Sequence, residues 1–170
     1  MPNSYSFFKT EVKDWFIYNV PITKRILDVG PGQGTYSDLL KSAGYKMDAV
    51  EIWAPYVEQF NLKDKYDEVY IDDIRNFNLT KYDFVILGDV LEHLSKEDAQ
   101  KLIDRMNEWG IDYMIAIPYM MEQDGEEYGN QYETHLQPDL TPEVMSERYP
   151  GLIKLFDNQW YGYYVNRTDV

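Results

Sequence analysis

The sequence predicts an α/β fold built on a mostly parallel sheet, and three features predict it. Between Lys24 and Pro118, apolar runs of strand length alternate with amphipathic stretches of helical length, the pattern of βαβ units. Two of those runs, Phe84 to Leu87 and Tyr113 to Ile117, have no polar alternation beyond Tyr113, as central strands covered on both faces require. The first run ends in a glycine-rich turn that leads directly into a helical stretch.

Taken in order, the first element is a helix over Ser6 to Tyr18, with Phe8, Val12, Trp15, Phe16 and Tyr18 near one face. A strand over Arg25 to Val29 is followed by a helix over Tyr36 to Ala43, which Gly44 stops. Strands follow at Met47 to Ile52, Glu68 to Ile71 and Phe84 to Leu87. The next helix, Lys96 to Trp109, has Ser95 as N-cap, Asp98 in the capping-box position and Gly110 just past its end. Tyr113 to Ile117 is the fifth strand. Residues 119–140 form a long irregular connection, and a long loop after a central strand is where α/β sheets place their sites. Thr141 caps a helix that has Pro142 at its first position and ends at Pro150-Gly151. Leu152 to Phe156 and Trp160 to Asn166, joined at Asp157-Asn158-Gln159, read as an antiparallel hairpin at the sheet edge. Neither repeat nor linker divides the chain, so 1–170 reads as one domain, with 1–23 as an N-terminal helix or lid.

Composition narrows the function classes. The 170 residues hold 30 Asp and Glu against 16 Lys and Arg, a formal charge of −14. Without cysteine there are no disulfides, no thiolate catalysis and no Cys-ligated zinc. No run approaches membrane-spanning length and the start has no secretion pattern, so a cytoplasmic location without membrane contact is expected. Asn166-Arg167-Thr168 fits the glycosylation pattern, but without such a signal it reads as chance. From Met106 to Glu147 there is no Lys or Arg, while ten carboxylates occur. Gripping a phosphate backbone needs clustered cations, so nucleic acid is not an expected partner.

The glycine turn is Gly30-Pro31-Gly32-Gln33-Gly34-Thr35, a GxGxG pattern with Thr where a dinucleotide fingerprint puts its third glycine. Glu51 stands at the end of the second strand, placed to accept hydrogen bonds from two ribose hydroxyls. Nicotinamide enzymes and other adenosine-binding folds both use such an acid.

The stretch Ile26–Tyr36, ILDVGPGQGTY, resembles motif I of the class I S-adenosylmethionine-dependent methyltransferases. AVEIW over Ala49–Trp53, YIDDIR over Tyr70–Arg75 and DFVILGDVLEHL over Asp83–Leu94 resemble the ends of that family's second, third and fourth strands. The resemblance spans roughly residues 24–118. It implies a three-layer α/β/α Rossmann-like sandwich whose seven-stranded sheet has the order 3-2-1-4-5-7-6 and an antiparallel last strand. S-adenosyl-L-methionine is the cofactor it implies.

Carried over by position, Gly30, Pro31, Gly32 and Gly34 would lie against the methionine and ribose portions of that cofactor, with Asp28 beneath the loop facing the ammonium. Glu51 would take the ribose hydroxyls, with Ile52 and Trp53 against adenine or ribose. Asp73, rather than Asp72, would accept the adenine amino hydrogen, with Ile74 on the ring. Gly88, Asp89 and Val90 would line the wall near the sulfonium, although a strand-end acid such as Asp89 also serves to cap a following helix.

A hydroxyl or ammonium acceptor must lose its proton, and the chain has two histidines for that work. His93 follows Glu92 after the fourth strand, where it either moves a proton or orients the turn. His135 lies in the acidic loop, by analogy near the acceptor, as base, acceptor contact or ordinary loop residue. Some members of the resembled family that methylate vicinal hydroxyls use a divalent ion, which His135, Glu133 and other loop acids could hold, but the spacing gives no metal-ligand motif and none is assigned. Aromatics of the N-terminal helix, the loop (Tyr119, Tyr128, Tyr132) and Trp160 to Tyr164 could wall a pocket, although alternating strand aromatics are more often core. The leading expectation is methyl transfer to an oxygen or nitrogen of a small acceptor, a sugar hydroxyl or an amine, on the acceptor-side loop 119–140. The alternatives are a non-catalytic cofactor-binding or accessory subunit and an NAD-dependent oxidoreductase. So little chain surrounds the core that a homodimer or a partner subunit is one route to a complete site.

Overall fold

The computed structural model describes residues 5–125 and 129–167; Glu126, Glu127 and Tyr128 of the loop and Thr168 of the glycosylation pattern lie outside the described residues. Seven strands form on the apolar runs: β1 (Ile26–Val29), β2 (Met47–Glu51), β3 (Val69–Ile71), β4 (Phe84–Gly88), β5 (Asp112–Pro118), β6 (Ile153–Asp157) and β7 (Tyr161–Val165). They pair in the order β3-β2-β1-β4-β5-β7-β6. The first five strands are parallel, and β7 runs antiparallel to both β5 and β6. The expected sheet is therefore the observed one.

Burial explains the order. Every residue of β1, β2, β5 and β7 is buried, while the two edge strands β3 and β6 are partly exposed. The β6 edge is also irregular between Lys154 and Phe156, a device that discourages further pairing. Alternate strand residues face opposite sides of the sheet. Leu27, Val85, Leu87 and Ile115 join one apolar cluster, and Ile26, Phe84, Ile86 and Met114 join the other. The first cluster takes Leu102 and Met106 of α5 (Lys96–Glu108) and Met145 of α6 (Pro142–Arg148). The second takes Val12 and Phe16 of α1 (Lys9–Asn19), Leu40 of α2 (Thr35–Leu40), Val57 of α3 (Ala54–Gln59) and Leu62 of α4 (Leu62–Lys65). Three layers result.

Helix ends follow their caps. The Ser95 hydroxyl accepts from the Asp98 amide at 3.1 Å and the Thr141 hydroxyl from the Val144 amide at 3.2 Å, each worth about 1 kcal/mol. Two local expectations need correction, and one pair of helices has no counterpart in the sequence reading. Helix α1 starts at Lys9, because Phe8 adopts a left-handed conformation at φ 58°. Tyr18 is 85% exposed rather than on the apolar face, since two residues along a helix from Phe16 is about 200° around it. The short helices α3 and α4 fill a stretch with no readable period, with Pro55 in the first turn of α3. Among the described residues no helix is long and apolar enough to cross a membrane.

The connection from β5 to α6 is held down by backbone bonds. The Met120 amide donates to Leu140 O, and the amides of Leu136 and Gln137 both donate to Glu92 O, at 2.8 and 3.0 Å. That docking brings the returning arm of the loop onto the turn after β4. The carboxyl ends of β1, β2 and β4 then face it across the point where the strand order reverses, where open α/β sheets bind ligands.

Candidate active site

One cavity of about 350 Å³ occupies that crevice, within the range of small-molecule sites. Gly30, Pro31, Gly32, Glu51, Ile52, Asp73, Ile74, Gly88, Asp89, Val90 and His93 all line it. Asp28, Gly34, Trp53 and His135 do not.

Gly30 has φ +57°, and a Cβ there would meet Val90 Cγ2 at 3.1 Å, so glycine is needed both for the turn and for the close wall. Gly34 serves a different purpose. With φ +82° it precedes α2, and its would-be Cβ lies 2.6 Å from Lys65 Cδ, outside the cavity. Asp28 is 1% exposed beneath the loop; Tyr66 donates its hydroxyl to Oδ2 at 2.5 Å, and Oδ1 has no partner. Burial pushes its carboxyl up to about 7.

Glu51 is 3% exposed, and one carboxylate oxygen accepts the Trp53 amide at 2.7 Å. Burial pushes it up to about 7, against that hydrogen bond. Trp53 itself stands off the cavity, its ring 6.1 Å from that of Tyr132. Asp73 is held by Arg75, whose Nε donates to Oδ1 at 3.0 Å and to Oδ2 at 2.9 Å. That bonding lowers the Asp73 carboxyl below its usual range. Any adenine amino group must therefore share Asp73 with the guanidinium.

Gly88 and Asp89 form the opposite wall. Asp89 is left-handed at φ 56°, a conformation short polar side chains tolerate and one that concentrates at functional sites. A Cβ on Gly88 would sit 2.2 Å from Tyr36 Cε2. Gly88→Ala is thus expected to cost about 1–3 kcal/mol of stability by overpacking, and to weaken cofactor binding as Tyr36 moves into the cavity. Thermal unfolding and calorimetry check this; an unchanged melting temperature would remove the steric role.

The histidines are brought together. Their rings meet edge to face at 4.7 Å, with His93 on the cavity wall and His135, 9% exposed, behind it. His93 Nδ1 lies 3.2 Å from Thr134 O and His135 Nδ1 lies 2.8 Å from Met121 O. A carbonyl only accepts, so both Nδ1 atoms carry hydrogen and both Nε2 atoms keep a lone pair. Burial, and then the neighbouring His135, lowers His93 to about 4; burial also lowers His135.

Two wall residues, Tyr56 and Asn130, and the partly buried Lys9 beyond the wall escape the sequence, and Glu133 enters it only beside His135. Glu133, 8% exposed and on the wall, accepts the Tyr56 hydroxyl at 3.0 Å. Tyr56 comes from the unforeseen α3. Asn130 lines the cavity and caps the turn at Gln131–Glu133 through the Tyr132 amide; an Asn two residues before an aromatic was the available signal. Lys9 donates to Tyr163 OH at 2.7 Å, and burial lowers it to about 8 against the pull of Asp89 and Asp28. No residue of α1 lines the cavity, and of the aromatics considered for its wall only Tyr132 does so among the described residues. Tyr161 and Tyr163 are core, and Trp160 is 58% exposed.

The arrangement suits S-adenosylmethionine on two observations: the close backbone approach at Gly30, and the buried Asp28 oxygen under the loop, which has no hydrogen-bond donor. Solved structures agree on the fold. The CcbJ methyltransferase from Streptomyces caelestis matches at TM-score 0.69 and 12% identity, over 96% of this chain and 90% of that one. An S-adenosylmethionine-dependent methyltransferase from Clostridium acetobutylicum matches at TM-score 0.68 and 12% identity, over 96% and 91%. Magnesium protoporphyrin IX methyltransferase from Synechocystis, solved with S-adenosylhomocysteine, matches at 0.61 and 16%, over 92% and 80%. No curated protein sequence matches the chain. The methyltransferase domain family model matches residues 9–110, more than half of the chain. With motif, sheet order and family match in accord, the chain belongs to the methyltransferase domain family and is a class I S-adenosylmethionine-dependent methyltransferase.

Proposed function

We propose that the chain methylates an oxygen or nitrogen of a small acceptor that is neutral or cationic, such as a sugar hydroxyl or an amine. The observation that carries this reading is the acceptor side of the cavity. It is built from residues 130–134 and Leu136 of a segment with no Lys or Arg from 106 to 147, and Glu133 lies on its wall. A polyanion would meet Glu133 there, and the lining cation Arg75 is already paired with Asp73 and Asp98.

Bound S-adenosylmethionine supplies an electrophilic methyl on a cationic sulfur. The chain's own residues then do the holding. Glu51 would accept from the ribose, Asp73 and Ile74 would bound the adenine, and Asp28 would receive the ammonium under the glycine turn. Positioning of this kind can lower a barrier by roughly 7–11 kcal/mol. The depressed His93 is neutral at pH 7 but a weak proton acceptor. It offers the acceptor a lone pair at Nε2, with His135 fixing it from behind.

Calorimetry with S-adenosylhomocysteine, S-adenosylmethionine and NAD in parallel tests the cofactor, followed by acceptors of each charge class scored by S-adenosylhomocysteine release. One S-adenosylhomocysteine per chain and no NAD signal are expected, with turnover on hydroxyl or amine compounds. NAD binding alone would overturn the cofactor, and a preference for anionic acceptors would overturn the acceptor class.

A further inference from the structure

We propose that Glu92, His93 and His135 form a binding site for a divalent transition-metal ion in the wall of the cavity. One carboxylate oxygen and one ring nitrogen from each histidine all lie within 4.8 Å of one another. Ligand atoms bonded to one ion at about 2.0–2.1 Å in a tetrahedral site stand about 3.4 Å apart, so small side-chain rotations gather all three. His93 lines the cavity and the other two stand with it, so the site borders the space proposed for the acceptor.

Two independent observations point to a ligand. The first is Glu92. It is 1% exposed, and neither carboxylate oxygen has a hydrogen-bond partner. A buried acid left without donors is costly unless something cationic meets it. Two further carboxylates, Asp89 and Glu133, line the adjoining cavity, and residues 106–147 bring no Lys or Arg to offset them. A divalent ion would repair both deficits.

The second is the outer arrangement of the histidines. Each donates its Nδ1 hydrogen to a backbone carbonyl, Thr134 O for His93 and Met121 O for His135. Metal-binding histidines are held in this way, with the tautomer fixed and the other nitrogen free to ligate. The backbone holds the parts in register, since Leu136 and Gln137 donate to Glu92 O next to His135. Two imidazoles and a carboxylate, with no thiolate, favour Zn²⁺ or a neighbouring first-row ion over Mg²⁺ or Ca²⁺. With Nε2 of His93 taken up by the ion, the acceptor meets the metal and not the ring, since three protein ligands leave a position open. Resting on the proposed function, that position favours an oxygen-bearing acceptor over an amine.

The test uses the full chain stripped with EDTA and dialysed. Zn²⁺ is titrated by calorimetry, and Co²⁺ by its ligand-field absorption with Mg²⁺ as competitor. One saturable Zn²⁺ per chain is expected, with a Co²⁺ band that Mg²⁺ does not displace. Loss of an outer-shell partner usually costs 10–100-fold in affinity, so Glu92→Gln and His135→Asn should each weaken Zn²⁺ by about 100-fold or more. Glu92→Gln keeps the volume and removes the buried charge, so it preserves the fold if His135→Asn does not; thermal unfolding monitors both. Absence of saturable uptake, affinity unchanged in the folded variants, or preference for Mg²⁺ would overturn the site. S-adenosylhomocysteine binding, read in parallel, is expected to persist in Glu92→Gln. Its absence from the wild type would overturn the cofactor reading and leave the ion site standing.

Discussion

Glu51→Gln is expected to lower affinity for S-adenosylhomocysteine by two orders of magnitude or more while making the cofactor-free protein more stable at pH 8. The binding loss follows from what the carboxylate offers. Its side chain lines the cavity at the end of β2, and the Trp53 amide takes up one oxygen. Two ribose hydroxyls would donate to the remaining lone pairs, and hydrogen bonds to a charged group contribute roughly 1.5–3 kcal/mol each. The amide loses the charge and half the acceptors.

The stability gain has the opposite origin. Burial raises the folded pKa of Glu51 to about 7 from an ordinary 4.5, with Glu133 adding to the rise. A group with a raised folded pKa contributes stability that is fully present below pH 4.5 and lost as pH rises through about 7. Above that pH the folded state holds an ionised carboxylate out of water, at a cost of up to about 3 kcal/mol. Gln removes the ionisation and can still accept the Trp53 amide. Wild type and variant should therefore converge in melting temperature near pH 5 and separate by pH 8, with the variant higher. Equal pH dependence in the two proteins would show that Glu51 does not titrate in this window. Affinity within a few-fold of wild type would remove its ribose role.

That trade-off was half visible in the sequence. A glutamate at the end of the second apolar run, in step with the glycine turn, could be placed by counting because strand and turn positions are local properties. The same holds for Gly30, Ser95 and the run Phe84 to Leu87, where spacing alone fixes conformation or burial. Other residues take their roles from partners distant in the chain. Gly34 keeps its place in the glycine pattern, yet it packs on Lys65, from a helix without a readable period. Glu92 enters the sequence reading only as the neighbour of His93; its burial comes with a loop that returns more than 40 positions later. His135 reads as a residue of the acceptor-side loop, and the loop backbone sets it beside His93 and off the cavity wall, which linear spacing does not encode. Tyr56 and Glu133 meet across 77 positions by one hydrogen bond.

Gln137 shows how strongly such distant pairing can matter, and Gln137→Ala is expected to destabilise the chain by about 3 kcal/mol and to loosen the returning arm of the loop. The side chain is 1% exposed and fully engaged. Its amide donates to Leu91 O at 3.0 Å and to Leu94 O at 3.1 Å, on the turn that carries Glu92 and His93. Its carbonyl accepts from Arg148 Nη1 at 2.8 Å and from the Tyr149 hydroxyl at 2.7 Å, at the end of α6. Truncation leaves Leu94 O and the Tyr149 hydroxyl without partners in a space that alanine does not fill, and each buried group left unpaired costs about 1–3 kcal/mol. Arg148 keeps Asp139, at 2.7 Å, and Leu91 O keeps the Leu94 amide, at 3.2 Å, so the damage centres on Tyr149 and Leu94 O. Glu51 and the glycine turn have no bond to Gln137, so S-adenosylhomocysteine affinity should fall much less than turnover. Urea unfolding gives the stability change, and hydrogen exchange should show faster exchange at His135 and Leu136 than at β1 and β2. A loss below about 1 kcal/mol, or exchange that quickens evenly over the whole sheet, would mean that the backbone bonds to Glu92 O hold the arm without Gln137.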